Sequence, residues 1–247
     1  MRKVVIGALV GVLALVGATI ALATGTQQTV TYKFGTKKPG RATTFSAVLS
    51  STDPTNSAHN NAPDPARKVV LAFPKGTIVD SKAAPQCSAS ASTLSSNPSA
   101  CKSSTIIGTG SASANTTFAS VGDIQATVTA YNATGKRLLF YIKPAPGAPA
   151  QPFTITANIS GSKSSGFKLT TNPPPNCLPP GTPPSCSNGE APLQTFKLNT
   201  MKRKSGKHVL FTTPKTCPKS KNWKLTATIT FKTDGTKTYS ATSPCTK

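Results

Sequence analysis

Hydrophobic and polar residues alternate along this chain in short runs, and the most regular run lies near the C-terminus. From Trp223 to Phe231 every second residue is apolar, and lysines and threonines occupy the positions between them. A period of two with aromatic and β-branched residues is typical of a half-buried β-strand. Asp234-Gly235 follows the run, and this dipeptide favours a hairpin turn. We therefore predict a closing β-hairpin with one buried face.

Burial predicts the register of this hairpin. A three-residue loop at 233–235 pairs Ile229 with Tyr239 and Ala227 with Ala241, so that all four side chains lie on the buried face. A two-residue loop would turn the tyrosine toward solvent. A slip of one residue reverses every side chain, so burial strongly favours one register. We expect the loop glycine to adopt the left-handed conformation that such a turn requires.

Further short strands are predicted along most of the chain. Residues 81–104 show no period and are predicted to form a loop, and no helical period longer than two turns occurs after residue 23. This pattern indicates an all-β fold, and we predict an antiparallel β-sandwich. The proline-rich stretch 144–152 is excluded from a central strand and allows a division into two lobes. The predicted strands cover residues 28–34, 43–50, 68–73, 77–79, 105–117, 123–131, 136–143, 153–159, 167–171, 193–200 and 208–213.

Residues 1–23 differ from the rest of the chain. A basic start is followed by an apolar run that ends in Ala-Leu-Ala, which fits the site where a signal peptidase cuts. The run is also about 20 residues long, the length of a membrane span. We expect a signal peptide, with a membrane anchor at residues 4–23 as the alternative. Both interpretations place the domain of residues 24–247 outside the cell.

The six cysteines of an exported chain are expected to form disulfides. Pairing between neighbours along the chain gives three bridges, although other pairings stay open. There is no Cys-x-x-Cys motif and both histidines are distant in sequence from the cysteines, so we expect no metal and no other cofactor. The three bridges favoured by proximity are Cys87–Cys101, Cys177–Cys186 and Cys217–Cys245.

The net charge of +22 comes from a scarcity of acids, because 28 basic residues face only 6 acidic ones. Specific nucleic-acid binders usually show clustered arginines, or aromatics interleaved with a basic stripe, and this chain shows neither. A strongly positive field still favours anionic neighbours. We expect an anionic cell-wall polymer or a membrane surface as the partner and no specific nucleic acid. The alternative is that the low content of acidic residues suits an exported surface and reflects no binding partner.

The densest basic segment is "MKRKSGKH" at residues 201–208, which is predicted to form a hairpin tip. Several cations on one tip can bind phosphate or sulfate groups. A solvated tip kept soluble by its charge is the simpler alternative. The candidate polyanion-binding residues are Lys202, Arg203, Lys204 and Lys207.

Catalytic machinery is difficult to assemble from this sequence. A glycosidase requires two carboxylates in one cleft, and the acids here lie at separate turns and strand ends. Neither His59 nor His208 belongs to a recognisable motif, and Gly-x-Ser-x-Gly is absent. We expect a non-catalytic secreted or cell-surface protein, with a glycan-binding module and an extracellular hydrolase as alternatives. The six acids are Asp53, Asp64, Asp80, Asp123, Glu190 and Asp234.

Six segments after residue 67 share a distinctive pattern, namely "FPKGTIVD" at 73–80, Cys87 with Cys101, "IIGTGSASA" at 106–114, "GKRLLFYIKP" at 135–144, "LQTFKLN" at 193–199 and the hairpin at 217–245. Together they resemble a group of exported, β-rich proteins from soil actinobacteria that has no assigned activity. The resemblance covers most of residues 68–247 and is most specific in the last thirty. It implies export and a β fold, and it supplies no functional residue. The cysteines at 177 and 186 depart from the pattern of the group.

Overall fold

The structure, a computed structural model, describes residues 25–116, 122–175 and 190–246. It is an antiparallel all-β protein, as the alternating pattern predicts. One short α-helix, α1 (Ala91–Ser96), and four 3₁₀ turns at Ser57–His59, Ser81–Ala83, Pro98–Ala100 and Ser103–Thr105 interrupt the strands. The strands are β1 (Gln27–Phe34), β2 (Ala42–Thr43), β3 (Phe45–Thr52), β4 (Ala66–Ala72), β5 (Ile78–Val79), β6 (Ile106–Ala114), β7 (Ile124–Ala133), β8 (Arg137–Pro144), β9 (Phe153–Ser162), β10 (Gly166–Thr171), β11 (Leu193–Thr200), β12 (Lys204–Ser205), β13 (His208–Val209), β14 (Phe211–Thr212), β15 (Asn222–Phe231) and β16 (Thr236–Pro244).

Eleven strands form one sheet in the order β1-β3-β11-β6-β7-β8-β9-β10-β4-β15-β16. Two small sheets accompany it, one of β12 and β13 and one of β2, β14 and β5. The strands β8 and β9 lie on either side of the proline-rich stretch 144–152 and are hydrogen-bonded neighbours. The sheet is therefore continuous at the point where the sequence allows two lobes.

The large sheet curls until its edge strands, β1 and β16, lie against each other. The backbone N–H of Phe34 donates to Ser243 Oγ at 3.1 Å, and the Tyr32 hydroxyl donates to the carbonyl of Trp223. Burial raises the pKa of Tyr32, so its phenol stays protonated and available as a donor. These bonds take the place of a backbone ladder and cover both edges, as a sheet that avoids aggregation requires. The result is a nearly closed, barrel-like sheet around a sandwich core.

The interior is filled differently at its two ends. Aromatic side chains fill the end at which β1 finishes and β15 begins. The rings of Phe34 and Trp223 lie 5.6 Å apart, those of Phe45 and Phe73 5.0 Å, and those of Phe45 and Phe211 5.5 Å. Edge-to-face and offset contacts of this kind stabilise a core beyond simple burial. The opposite end is lined largely by alanine, proline and aliphatic side chains.

The closing hairpin has the predicted strands and buried face, but the predicted register is wrong. Ala227 pairs with Tyr239, and the N–H of Phe231 donates to the carbonyl of Gly235, so the loop is 232–234 and not 233–235. Asp64 explains the shift, because its Oδ2 accepts the N–H groups of residues 233 and 234 at 2.5 and 2.7 Å. The pairing moves by two residues, so every side chain keeps its face. Gly235 has the expected left-handed conformation, with a φ of 73°, but it closes the loop by accepting the N–H of Phe231 and does not lie within it.

Residues 81–104 were predicted to be a loop, and the structure corrects this. The helix α1 lies over the outer face of β9 and β8, and its fully buried Leu94 belongs to one apolar cluster with Tyr131 and Leu139. Ser90 caps the helix by accepting the N–H of residue 93. A helix of six residues is too short to show a period in the sequence, which is why the pattern missed it.

Two of the three predicted disulfides are confirmed. Cys87 is bonded to Cys101, and Cys217 is bonded to Cys245. The predicted third pair, at 177 and 186, and the predicted signal segment at 1–23 lie outside the described residues. Within the described ranges, no helix is long and apolar enough to cross a membrane.

Candidate anion-binding site

The antiparallel topology sorts the charged turns to two ends of the barrel-like sheet. We call the acidic end the one where β3 finishes and β4, β7 and β11 begin, and the basic end the opposite one. The turns of the acidic end carry five of the six carboxylates, although these are widely separated in sequence. Asp80 is the exception and lies at the basic end. The acidic-end residues are Asp53, Asp64, Asp123, Glu190 and Asp234.

Three turns at the basic end meet around an open cleft of about 600 Å³. The turn after β4 supplies Lys75, the turn between β9 and β10 supplies Lys163, and the segment after β14 supplies Lys215. All three lysines are exposed, and none forms an ion pair with a described residue. We call this feature the lysine cleft. Its remaining lining residues are Gly76, Ser162, Ser164 and Thr216.

Backbone contacts hold the turns of the lysine cleft together. The N–H of Gly76 donates to the carbonyl of Lys163 at 3.2 Å, which joins two of the turns. Gly76 has a φ of 89°, and a Cβ at this position would lie 3.5 Å from the ring of Pro214 in the third turn. The turns that carry Lys75 and Lys163 are therefore joined directly, while all three lysine side chains are exposed to solvent.

The basic surface continues beyond the lysine cleft. A second cleft of about 490 Å³ borders it and is lined by Lys219, Lys221 and the Cys217–Cys245 disulfide. The indole N–H of Trp223 donates to the carbonyl of Thr216 at 2.9 Å, and this bond anchors the segment to the core. The exposed cations of these neighbouring turns are Lys37, Lys38, Arg41, Lys75, Lys163, Lys215, Lys219 and Lys221.

The candidate tip at 201–208 also lies at the basic end. Lys202, Lys204 and Lys207 are exposed on the small β12–β13 hairpin. Arg203 is turned inward, and its Nε and Nη2 donate to the carbonyl of Ile106 at 3.1 and 2.6 Å. The tip therefore presents three of its four predicted cations, and the arginine attaches it to β6.

One acid and one histidine do come together. His208 Nδ1 lies 2.7 Å from Asp80 Oδ2, which is the carboxylate–imidazole half of a serine triad. No serine or threonine hydroxyl in the described part of the chain hydrogen-bonds to this imidazole.

At the acidic end, Asp53, Asp64 and Asp234 accept backbone N–H groups. These carboxylates stabilise the turns by accepting backbone N–H groups, as their positions in the sequence suggest.

The glycan-binding alternative requires exposed aromatic side chains. Trp223 is 2% exposed, and Met201 is the only large apolar side chain classed as exposed among the described residues. The outer sheet face beside β15 instead carries threonines, such as the pair Thr230 and Thr236, whose hydroxyls lie 2.9 Å apart. The described surface therefore offers no aromatic platform for a sugar ring.

Glu190 forms ion pairs with two cations, more than any other acid among the described residues. Its Oε1 lies 2.6 Å from Arg67 Nη2 and 2.9 Å from Lys232 Nζ. Burial alone would raise the pKa of this carboxyl group, but the hydrogen bonds and charges of the two cations outweigh burial and lower it. The native state is therefore stabilised by the ionised form of Glu190.

We expect Glu190→Gln to lower the free energy of unfolding at neutral pH by about 1–2 kcal/mol, because two charge-assisted bonds are lost. A lowered native pKa adds stability above the ordinary carboxyl pKa, and this stability is lost as the pH falls through the native value. The difference from wild type should shrink below about pH 4. Urea unfolding of both proteins between neutral pH and values below about pH 4 measures this difference in the free energy of unfolding. The exposed Asp123→Asn is the control, and a difference that does not change with pH would contradict the assignment.

The chain matches no protein-family model, no curated protein and no solved structure.

The lysine cleft was missed at the level of sequence because its residues are isolated there. Lys75, Lys163 and Lys215 each stand alone in a turn rich in proline, glycine or serine, and only strand pairing brings them together. The available signal is weak. Several turns carry a lysine and no acid. Because every second turn of an antiparallel sheet lies at the same end, such lysines can be expected to meet there.

Proposed function

We propose that this protein is an exported, non-enzymatic β-sandwich protein that binds anionic polymers of the cell envelope through its basic end. The observation that carries the proposal is the lysine cleft, where Lys75, Lys163 and Lys215 line one open cleft and no carboxylate lines it. Neighbouring ammonium groups attract phosphate, sulfate or carboxylate groups of a polymer. The hydroxyl groups of Ser162, Ser164 and Thr216 add hydrogen-bond donors at the same cleft.

The separation of charge between the two ends supports this orientation. The acidic end carries five carboxylates together with cations such as Arg67 and Lys232, while the basic end carries many cations and one carboxylate, Asp80. A polyanion is therefore attracted more strongly to the basic end, and the field aligns the protein as it approaches. The two disulfides are compatible with an oxidising exterior. The exposed lysines of the tip, at 202, 204 and 207, extend the surface that a long polymer can contact.

Binding of residues 24–247 to purified bacterial cell walls, measured by co-sedimentation at low and high salt, tests the proposal. We expect the triple variant K75S/K163S/K215S to bind about a hundredfold more weakly at low salt. Each lysine close to an anionic surface contributes about 1 kcal/mol. Added salt should weaken the wild type steeply, because exposed charges are screened over about 10 Å at 0.1 M.

Two variants with the same change in charge are the controls. K202S/K204S/K207S removes three cations from the tip, and K68S/K168S/K224S removes three exposed cations from β4, β10 and β15. The tip variant should have an intermediate effect and the strand variant a small one. Equal losses in all three variants would show that only net charge matters and would remove the cleft. Absence of binding by the wild type at low salt would overturn the proposed function.

A further inference from the structure

The interior at the acidic end is not filled. Two adjacent chambers of about 80 Å³ each lie between the strands of the large sheet, and their walls are mainly apolar. They share the side chains of Val69, Ile155, Pro173 and Leu193, so they follow one another along the barrel interior. Native cores rarely keep voids larger than a water molecule. Two voids in a row in a small domain therefore require an explanation.

Small side chains create this space. The inner chamber meets Ala47 and Ala157, and the outer chamber meets Ala112 and Ala126 on β6 and β7. The opposite, aromatic end of the same interior is packed with phenylalanine and tryptophan rings. Larger aliphatic residues at the alanine positions would close the chambers. The sequence therefore keeps one end of the interior full and the other hollow.

The outer chamber has a charged rim. Arg67 and Glu190 are among its lining residues, and Lys232 contacts the same carboxylate oxygen of Glu190 as the arginine does. One carboxylate thus faces two cations, whose side chains are 29% and 52% exposed. Arg67 uses only Nη2 in this pair, and a guanidinium carries further N–H donors suited to a second carboxylate. The neighbouring Asp64 is engaged with the backbone N–H groups of residues 233 and 234.

We propose that the two chambers bind the hydrocarbon chain of a medium-length fatty acid, with its carboxylate held at the rim by Arg67 and Lys232. The chain is linear because the chambers lie in series. Together they slightly exceed the cavity of about 150 Å³ that admits benzene in another protein, which corresponds to a chain of roughly six to eight carbons. This site is at the opposite end from the lysine cleft and does not depend on polymer binding.

Titration of residues 24–247 with octanoate, 1-octanol, octylamine and butyrate, followed by NMR of backbone amides, tests the proposal. We expect octanoate to give saturable shifts at Val69, Ile155 and Leu193 and to bind about tenfold more tightly than the alcohol. Butyrate should bind much more weakly, because it fills only part of the space. No saturable shift at these residues, or tighter binding of the amine than of octanoate, would overturn the proposal.

Substitutions test the binding of the hydrocarbon chain and of the carboxylate head group separately. Arg67→Gln should weaken octanoate binding about tenfold and leave 1-octanol unchanged. Lys68→Gln, its exposed neighbour on β4, removes the same charge and should change neither. Ala157→Leu fills the inner chamber and should remove the preference for octanoate over butyrate. If that variant fails to fold, the series of chain lengths on the wild type still decides the point. Octanoate binding that is insensitive to Arg67→Gln would refute the assigned head-group contact.

Discussion

Trp223→Ala is expected to lower the free energy of unfolding by about 3–5 kcal/mol, a large share of the stability of a typical domain. The side chain is 2% exposed and meets the ring of Phe34 edge to face. Its indole N–H also holds the carbonyl of Thr216, next to the lysine cleft. The residue therefore joins β1, β15 and the basic end, and its loss leaves a cavity where the sheet closes. Urea unfolding monitored by circular dichroism measures the change.

Two further substitutions divide this effect into its parts. Trp223→Phe keeps an aromatic ring but leaves the carbonyl of Thr216 without its donor, and we expect a loss of about 1–2 kcal/mol. Lys224→Ala changes the exposed neighbour on the same strand and should alter stability by less than about 0.5 kcal/mol. If Trp223→Ala were as mild as the lysine substitution, the closure of the sheet between β1 and β16 would not depend on this residue.

Removal of the Cys217–Cys245 disulfide, with both cysteines replaced by alanine, is expected to cost about 3–4 kcal/mol. The bridge closes a loop with a sequence separation of 28, and it lowers the entropy of the unfolded chain. It also ties the end of β16 to the segment that carries Lys219 and Lys221. We therefore expect faster hydrogen exchange in β16 and weaker binding to cell walls, together with lower stability.

The Cys87–Cys101 bridge provides the matched comparison. Its separation is 14, so the loop-entropy argument predicts a slightly smaller loss, about 3 kcal/mol. It lies in the cluster around α1 and Leu94, away from the lysine cleft, and its removal should leave polymer binding unchanged. Equal weakening of polymer binding by both double variants would mean that global stability, and not the local anchor, sets the binding.

The sequence pattern is a good guide to strands here because most strands have one wet face and one buried face. The alternation of β15 and the boundaries of β11 follow directly from the side chains. The helix α1 escapes prediction because its single buried contact, Leu94, depends on a sheet face formed by distant residues. The predicted hairpin register is wrong for the same reason. The turn is bound by Asp64, which lies 170 positions before Asp234 in the chain and accepts its backbone N–H.

The candidate site shows the same division between local and long-range information. The tip at 201–208 is visible in the sequence because its cations are consecutive, yet the structure uses Arg203 to hold the tip to Ile106. The lysine cleft is invisible in the sequence because its three cations come from turns far apart in the chain. Local charge density was therefore an incomplete guide to the charge density of the surface.

The amino-acid sequence was enough to predict the all-β class, most of the strands and their buried faces, because these depend on the side-chain period. It favoured the two confirmed disulfide pairs through proximity along the chain and left other pairings open. Strand pairing and packing were needed to show how the edges β1 and β16 meet, where the hairpin turns and which lysines share a cleft. They were also needed to show that one end of the interior is packed with aromatic rings while the other stays hollow. Each of these depends on strand order, which brings together residues that no local pattern connects.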